Sequence, residues 1–89
     1  MSWFTYIVEC SDSSYYVGIT SNLQERVGEH NAGAGASWTR FRRPLTLRFA
    51  EEFPDKSGAR KREIEIKGWR REKKERLFRS ALNLVRPPP

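Results

Sequence analysis

Residues 3–20 read Trp3-Phe4-Thr5-Tyr6-Ile7-Val8-Glu9-Cys10-Ser11-Asp12-Ser13-Ser14-Tyr15-Tyr16-Val17-Gly18-Ile19-Thr20. Trp3 to Cys10 is rich in aromatic and β-branched side chains, which suit a pleated, half-buried strand. Ser11 to Ser14 is turn chemistry, and Tyr15 to Thr20 repeats the strand signal. Together these runs predict a β-hairpin. Tyr6 and Tyr16 are ten residues apart and so have the same parity. They share a face only if the strand pairing is even, which requires an odd-residue loop or a bulge. Gly18, two residues after Tyr16, marks a point where backbone or a ligand approaches closely.

Outward from the hairpin, Ser21 with Gln24 resembles a capping box that opens a helix at about 22–31. Asn31-Ala32-Gly33-Ala34-Gly35-Ala36 reads as a loop, followed by a helical turn at Ser37–Phe41. After Pro44, the alternation Leu45-Thr46-Leu47-Arg48-Phe49 predicts a third strand over 45–51. Asp55 or Ser57 caps a helix over about 57–68, with Gly68 its weak point. An amphipathic helix over about 71–84 would set Phe78, Ala81, Leu82 and Val85 on one stripe. The order ββα-β-αα predicts an α+β domain: a three-stranded, mostly antiparallel sheet flanked by helices. Residues 1–86 read as a single domain and Pro87-Pro88-Pro89 as a tail.

Composition narrows the function. At 89 residues the chain supports one small core, with roughly 60–65% of the unfolded surface buried. Three Trp, three Tyr and five Phe argue against disorder. No apolar run has the ~18 residues of a membrane span, so no membrane association and a cytoplasmic location are expected. The one cysteine, Cys10, excludes an internal disulfide and a cysteine-based zinc site. The one histidine excludes multi-histidine metal sites, so any metal must rest on carboxylates and water.

The net charge of +6 is unevenly spread. Residues 1–39 carry one base, Arg26, against Glu9, Asp12, Glu25 and Glu29. Residues 40–89 carry sixteen bases and seven acids. A basic stretch of this density points first to nucleic acid, because Lys and Arg release counterions on binding phosphate. An acidic protein partner or a membrane surface is the plainer alternative.

Several polar residues fall where a small core should be apolar. At about 100° per residue, Ala59, Glu63, Ile66 and Trp69 share one side of the 57–68 helix, while Ile64 points away. Glu63 either pairs with Arg60, Arg62 or Lys67 or serves as a ligand for a hard cation. On the first helix, Leu23 and Val27 define the apolar stripe and His30 lies beside it. His30 is thus a packed core-edge histidine or a catalytic one. Arg26, one turn before it, either pairs with Glu29 or Asn22 or recognises a single phosphate.

Tyr6, Tyr16-Val17-Gly18, Arg26, His30 and Glu63, in this order, resemble the GIY-YIG nuclease superfamily. The resemblance is to its small stand-alone members, similar to the N-terminal nuclease domain of the C component of excinuclease ABC, and spans about Trp3 to Leu77. Segments Glu29-His30-Asn31-Ala32-Gly33, Arg42-Arg43-Pro44-Leu45 and Arg60-Lys61-Arg62-Glu63-Ile64-Glu65-Ile66-Lys67 belong to the same pattern. Two departures, Phe4-Thr5-Tyr6 in the first motif and Val17 in the second, leave the reactive groups in place. The resemblance implies hydrolysis of DNA phosphodiesters with one divalent cation, Mg²⁺ or Mn²⁺, held by Glu63. Arg26 would stabilise the phosphate, and Tyr6 would activate water with help from Tyr16 and His30. Arg26 and the metal are expected to lower the phenol's pKa. Arg40, Arg42, Arg43, Lys61, Lys67, Arg70 and Arg71 would hold the substrate: DNA, single-stranded or branched forms included, or RNA. The alternative is a non-catalytic nucleic-acid-binding module on the same scaffold, adding Lys73 and Lys74 and stacking bases on Trp38 or Trp69.

Overall fold

The protein, in a computed structural model, is described over residues 2–34 and 39–85. Its elements are β1 (Trp3–Glu9), β2 (Tyr15–Thr20), α1 (Leu23–Asn31), β3 (Thr46–Phe53), α2 (Lys56–Lys67) and α3 (Arg71–Phe78). The strands form one antiparallel sheet in the order β2-β1-β3, so the expected α+β arrangement is present. The Pro87–Pro89 tail, with Ser37 and Trp38, lies outside the described residues. No helix among the described residues is long and apolar enough to cross a membrane.

The hairpin has the parity that brings its tyrosines together. Tyr6 pairs with Gly18 and Val8 with Tyr16, across a five-residue loop from Cys10 to Ser14. Ser13 turns the loop at φ 68°, and Ser13 N donates to Cys10 O at 2.9 Å. Asp12 Oδ1 accepts from Ser14 N at 3.1 Å. The odd loop therefore puts Tyr6 and Tyr16 on one face with Val8, while Ile7 and Val17 point to the other.

Each face has its own core. Ile7, Val17, Phe49, Ile66 and Leu77 form one cluster, covered by α2 and α3, with Tyr15, Trp69 and Phe78 packed against it. Tyr6, Val8, Cys10 and Leu45 form the other, with Tyr16, Leu23 and Leu47 at its margin. The third strand feeds both. Simple alternation would put Leu45, Leu47 and Phe49 on one face, but the β1–β3 register shifts between Ile7 and Val8. Ile7 faces Phe49 and Val8 faces Leu47, leaving Arg48 as the extra residue of a bulge. That slip sends Phe49 to the α2 side and Leu47 to the Tyr6 side.

Helix ends follow local chemistry. The cap of α1 is Asn22 rather than Ser21: its side chain accepts from Glu25 N at 3.1 Å, satisfying a donor that the first turn leaves unpaired. Asp55 caps α2, accepting from Gly58 N at 2.8 Å, and Gly68 closes the helix. Helix α3 is shorter than the apolar pattern suggests. It ends at Phe78, and Ala81 and Leu82 are exposed. Asn83 explains the break. Its buried amide donates to Arg48 O and Phe78 O and accepts from Ala50 N at 3.0–3.1 Å, tying the chain back to the bulged strand. A continuous helix would forfeit those bonds and leave bulge backbone unpaired.

Ile66 is fully buried and Ile64 is 59% exposed, as the helical spacing requires. Ile66→Ala should cost about 2–5 kcal/mol of stability, whereas Ile64→Ala should change it by less than about 0.5 kcal/mol. Urea denaturation of the two variants measures the difference.

Candidate active site

The Tyr6 side of the sheet gathers four of the five reactive residues singled out in the sequence. Tyr6 lies across Gly18: a Cβ added there would sit 2.6 Å from the Tyr6 hydroxyl and 2.7 Å from Cζ. Glycine is required because a buried phenol occupies the space above it. Beyond Gly18, the hydroxyl lies 2.9 Å from His30 Nε2 and accepts from Arg26 Nε at 3.4 Å. Tyr16 stands edge-on to the same imidazole, with ring centroids 5.4 Å apart.

His30 is held from its other side by a residue that sequence reasoning missed. Thr39 Oγ1 is 2.9 Å from His30 Nδ1, and both residues are fully buried. A buried threonine in the irregular 31–45 connection has no periodicity to reveal it. If Nδ1–H donates to Thr39, then Nε2 accepts from the Tyr6 hydroxyl, which accepts in turn from Arg26. Every member of this chain of hydrogen bonds is then satisfied.

Burial pushes the Tyr6 phenol above its ordinary value of 10.0, with Tyr16 and Glu63 adding to the rise. Arg26 lowers the phenol's pKa, as expected, but burial more than offsets it. Arg26 therefore does not leave a resting phenolate. Burial, then the Arg26 charge, holds His30 below 6.5, so near pH 7 the imidazole is neutral and can accept a proton.

Glu63 comes from α2, which packs on the other face through Ala59 and Ile66. Thr5 Oγ1 donates to Ala59 O at 2.8 Å and fixes α2 against β1. Glu63 is only 5% exposed. Arg60 donates to Oε1, and Lys67 Nζ lies 3.1 Å from Oε2. The carboxylate thus forms two of the ion pairs that its neighbours offered, and its charge still reaches the Tyr6 phenol. Arg26 likewise pairs with Glu29 at 3.6 Å while contacting Tyr6. Among the described residues, no three His, Cys, Asp or Glu side chains are grouped to hold a metal.

The basic residues fall into separate places. Arg40 and Arg43 line a cavity beside the end of α1. Arg42 pairs with Asp12 at 3.2 Å, Lys67 with Glu63, and Arg71 with Glu75 at 3.3 Å while lying over Tyr15. Arg70 is exposed at the start of α3. Lys61 lines a shallow cavity with Phe53, Gly58, Arg62 and Glu65, about 200° round α2 from Glu63. Trp69 packs on the core, with the cations of Lys73 and Arg62 at 4.3 and 5.2 Å from its ring centroid, and does not stand free as a stacking platform.

The GIY-YIG catalytic domain model matches residues 2–76. This chain belongs to the GIY-YIG family. Among its relatives, a UPF0213 protein of Halobacterium salinarum is 55% identical over 73 residues, covering 82% of this chain and 95% of that protein. A UPF0213 protein of Staphylococcus haemolyticus is 46% identical over 75 residues, covering 84% and 92%. The solution NMR structure of a UPF0213 protein from Bacillus halodurans superposes with a TM-score of 0.58 at 39% identity, covering 92% of this chain and 87% of that one. The solution NMR structure of a protein from E. faecalis gives 0.61 at 37% identity, covering 89% and 84%. The GIY-YIG fold is that of a nuclease family whose members generally use divalent metal ions. In this GIY-YIG domain the matched span contains Tyr6, Tyr16, Arg26, His30 and Glu63.

Two measurements probe the site directly. Because His30 binds its proton less readily in the folded than in the unfolded chain, it contributes stability above pH 6.5 that is lost as pH falls toward its folded pKa. Urea titrations should show this loss in the parent and a smaller one in His30→Gln. Gly18→Ala should keep the fold, by circular dichroism, while shifting the Tyr6 ring resonances in NMR spectra, because its methyl group displaces the hydroxyl.

Proposed function

We propose that this chain is a metal-dependent endonuclease that hydrolyses phosphodiester bonds in DNA. The observation that carries the reading is the Tyr6 hydroxyl, held between the Arg26 guanidinium and the neutral His30 imidazole. Tyr6 takes the proton of the attacking water as it passes its own to His30 Nε2. Arg26 donates to the oxygen on which negative charge develops, and its guanidinium also meets the scissile phosphate. Thr39 fixes the ring so that Nε2 faces the phenol. Tyr16 packs on the imidazole and limits its rotation.

Glu63 is the residue that would hold the divalent cation, Mg²⁺ or Mn²⁺. One carboxylate suits a hard cation whose other ligands are water and phosphate oxygens, and such an ion would take the place of Arg60 or Lys67, which pair with its two oxygens. When bound, such an ion supplies Lewis-acid stabilisation of the phosphate and leaving oxygen. Arg40, Arg43, Lys67, Arg70 and Arg71 supply backbone contacts to the strand.

Glu63's two ion pairs also fit a second reading, a binding module that holds nucleic acid without cutting it. Incubation with single-stranded, duplex and branched DNA, and with RNA, plus Mg²⁺ or Mn²⁺ separates the two. Cleavage is expected to fall about 10²–10³-fold in Arg26→Ala and about 10²–10⁴-fold in Tyr6→Phe. It should become insensitive to added metal in Glu63→Gln. Cutting that survives Arg26→Ala and Glu63→Ala unchanged sinks the assignment, and metal-independent binding with no cleavage supports the binding module.

A further inference from the structure

Phe41 is 86% exposed, the most exposed large apolar side chain of the described residues. It lines an open cavity of about 590 Å³ with Asn31, Arg40, Arg43 and Pro44. The Arg40 guanidinium lies 5.6 Å from the Phe41 ring centroid. Arg43 donates from Nε to Arg40 O at 3.1 Å and from Nη1 to Asn31 O at 3.3 Å. Among the described residues Arg40 and Arg43 form no ion pair with a carboxylate, which is also true of Arg70, Arg76 and Arg79, whereas Arg26, Arg42, Arg48, Arg60, Arg62 and Arg71 do.

The cavity is built rather than loose. Asn31 and Leu45 exchange hydrogen bonds of 3.1 and 2.7 Å, which fasten the end of α1 to the start of β3. It also adjoins the catalytic group. Asn31 follows His30 directly, and Phe41 is two residues beyond Thr39, whose hydroxyl meets His30. An exposed aromatic ring flanked by cations without acidic partners matches a nucleotide, flat and apolar at its base and anionic at its phosphate.

We propose that Phe41, with Arg40 and Arg43, forms a stacking subsite for an unpaired nucleobase of the substrate strand, next to the scissile phosphate. The inference rests on the nuclease reading and adds a preference to it. A base within a duplex is already stacked on both faces and must be extruded to reach Phe41. A base in a single strand or at a branch is available at once. The subsite therefore favours unpaired nucleotides at a position the catalytic residues do not touch.

Fluorescence anisotropy with a labelled short single strand, in deoxy and ribo forms and as the matching duplex, tests this in metal-free buffer. Phe41→Ala is expected to weaken single-strand binding roughly five- to a hundredfold, with duplex binding unchanged and Phe41→Trp restoring affinity. Loss on the deoxy or the ribo strand identifies which polymer supplies the base. Replacing one base of the strand by an abasic unit should weaken the parent but add nothing to Phe41→Ala. Equal binding by parent and Phe41→Ala, or equal losses on single strand and duplex, overturns the subsite and leaves the nuclease reading standing. No binding of any nucleic acid by the parent overturns both.

Discussion

A phenol ring laid over a glycine organises the face of the sheet that carries the candidate site. Tyr6 crosses Gly18 at a distance no side chain would allow, and its hydroxyl emerges between Arg26 and His30. Three separate features must agree for this to happen. The hairpin loop must have an odd number of residues, the partner of Tyr6 must be glycine, and α1 must start where Asn22 caps it. Those conditions bring Arg26 and His30, one turn apart, above the same hydroxyl. A shift of one residue in the hairpin register would send Tyr6 to the α2 side and dissolve the constellation.

The β-bulge at Arg48 solves a related problem on the third strand. A small sheet with helices on both faces needs apolar groups on each, and a regularly alternating strand supplies only one. By slipping the register, β3 gives Phe49 to the α2–α3 core and Leu47 to the core beneath the candidate site. The irregular backbone that results is satisfied by Asn83, which also ends the helical part of the chain. The two cores are thus separately built but mechanically joined. Glu63, carried by the helix of one face, is set by packing in the Ile7 core, while its charge acts on Tyr6 of the other.

Much of this was legible in the residues. The hairpin and the element order followed from strand composition and turn signals, and helical spacing put Arg26 and His30 on one side of α1. That Tyr6 and Tyr16 act with them came from the resemblance to the GIY-YIG pattern. The burial of Glu63 and exposure of Ile64 followed from the 100° rotation per residue. What escaped is non-periodic or long-range. Thr39 and Phe41 sit in an irregular connection, where no period says which way a side chain faces. The bulge depends on cross-strand pairing, and Asn83 overrides an apolar stripe through hydrogen bonds to residues more than thirty positions away. Trp69 packs on the Ile66 core, as its place on the Ala59–Ile66 side of the helix requires, which sets aside its alternative use as a stacking platform.

Burial of the tyrosine bears on how the proposed chemistry would run. A phenol made more acidic by Arg26 would be a pre-formed base. Burial instead keeps the proton on Tyr6 and holds His30 neutral, so the relay rests uncharged. Water activation then requires Tyr6 to gain one proton as it loses another, with the positive charge arriving on His30. The Arg26 charge opposes an imidazolium at that position. A phosphate bound against Arg26 would offset that part of the opposition, making His30 a better acceptor with substrate in place. Burial remains the larger restraint on that imidazolium, so the phosphate would ease only the Arg26 part of it.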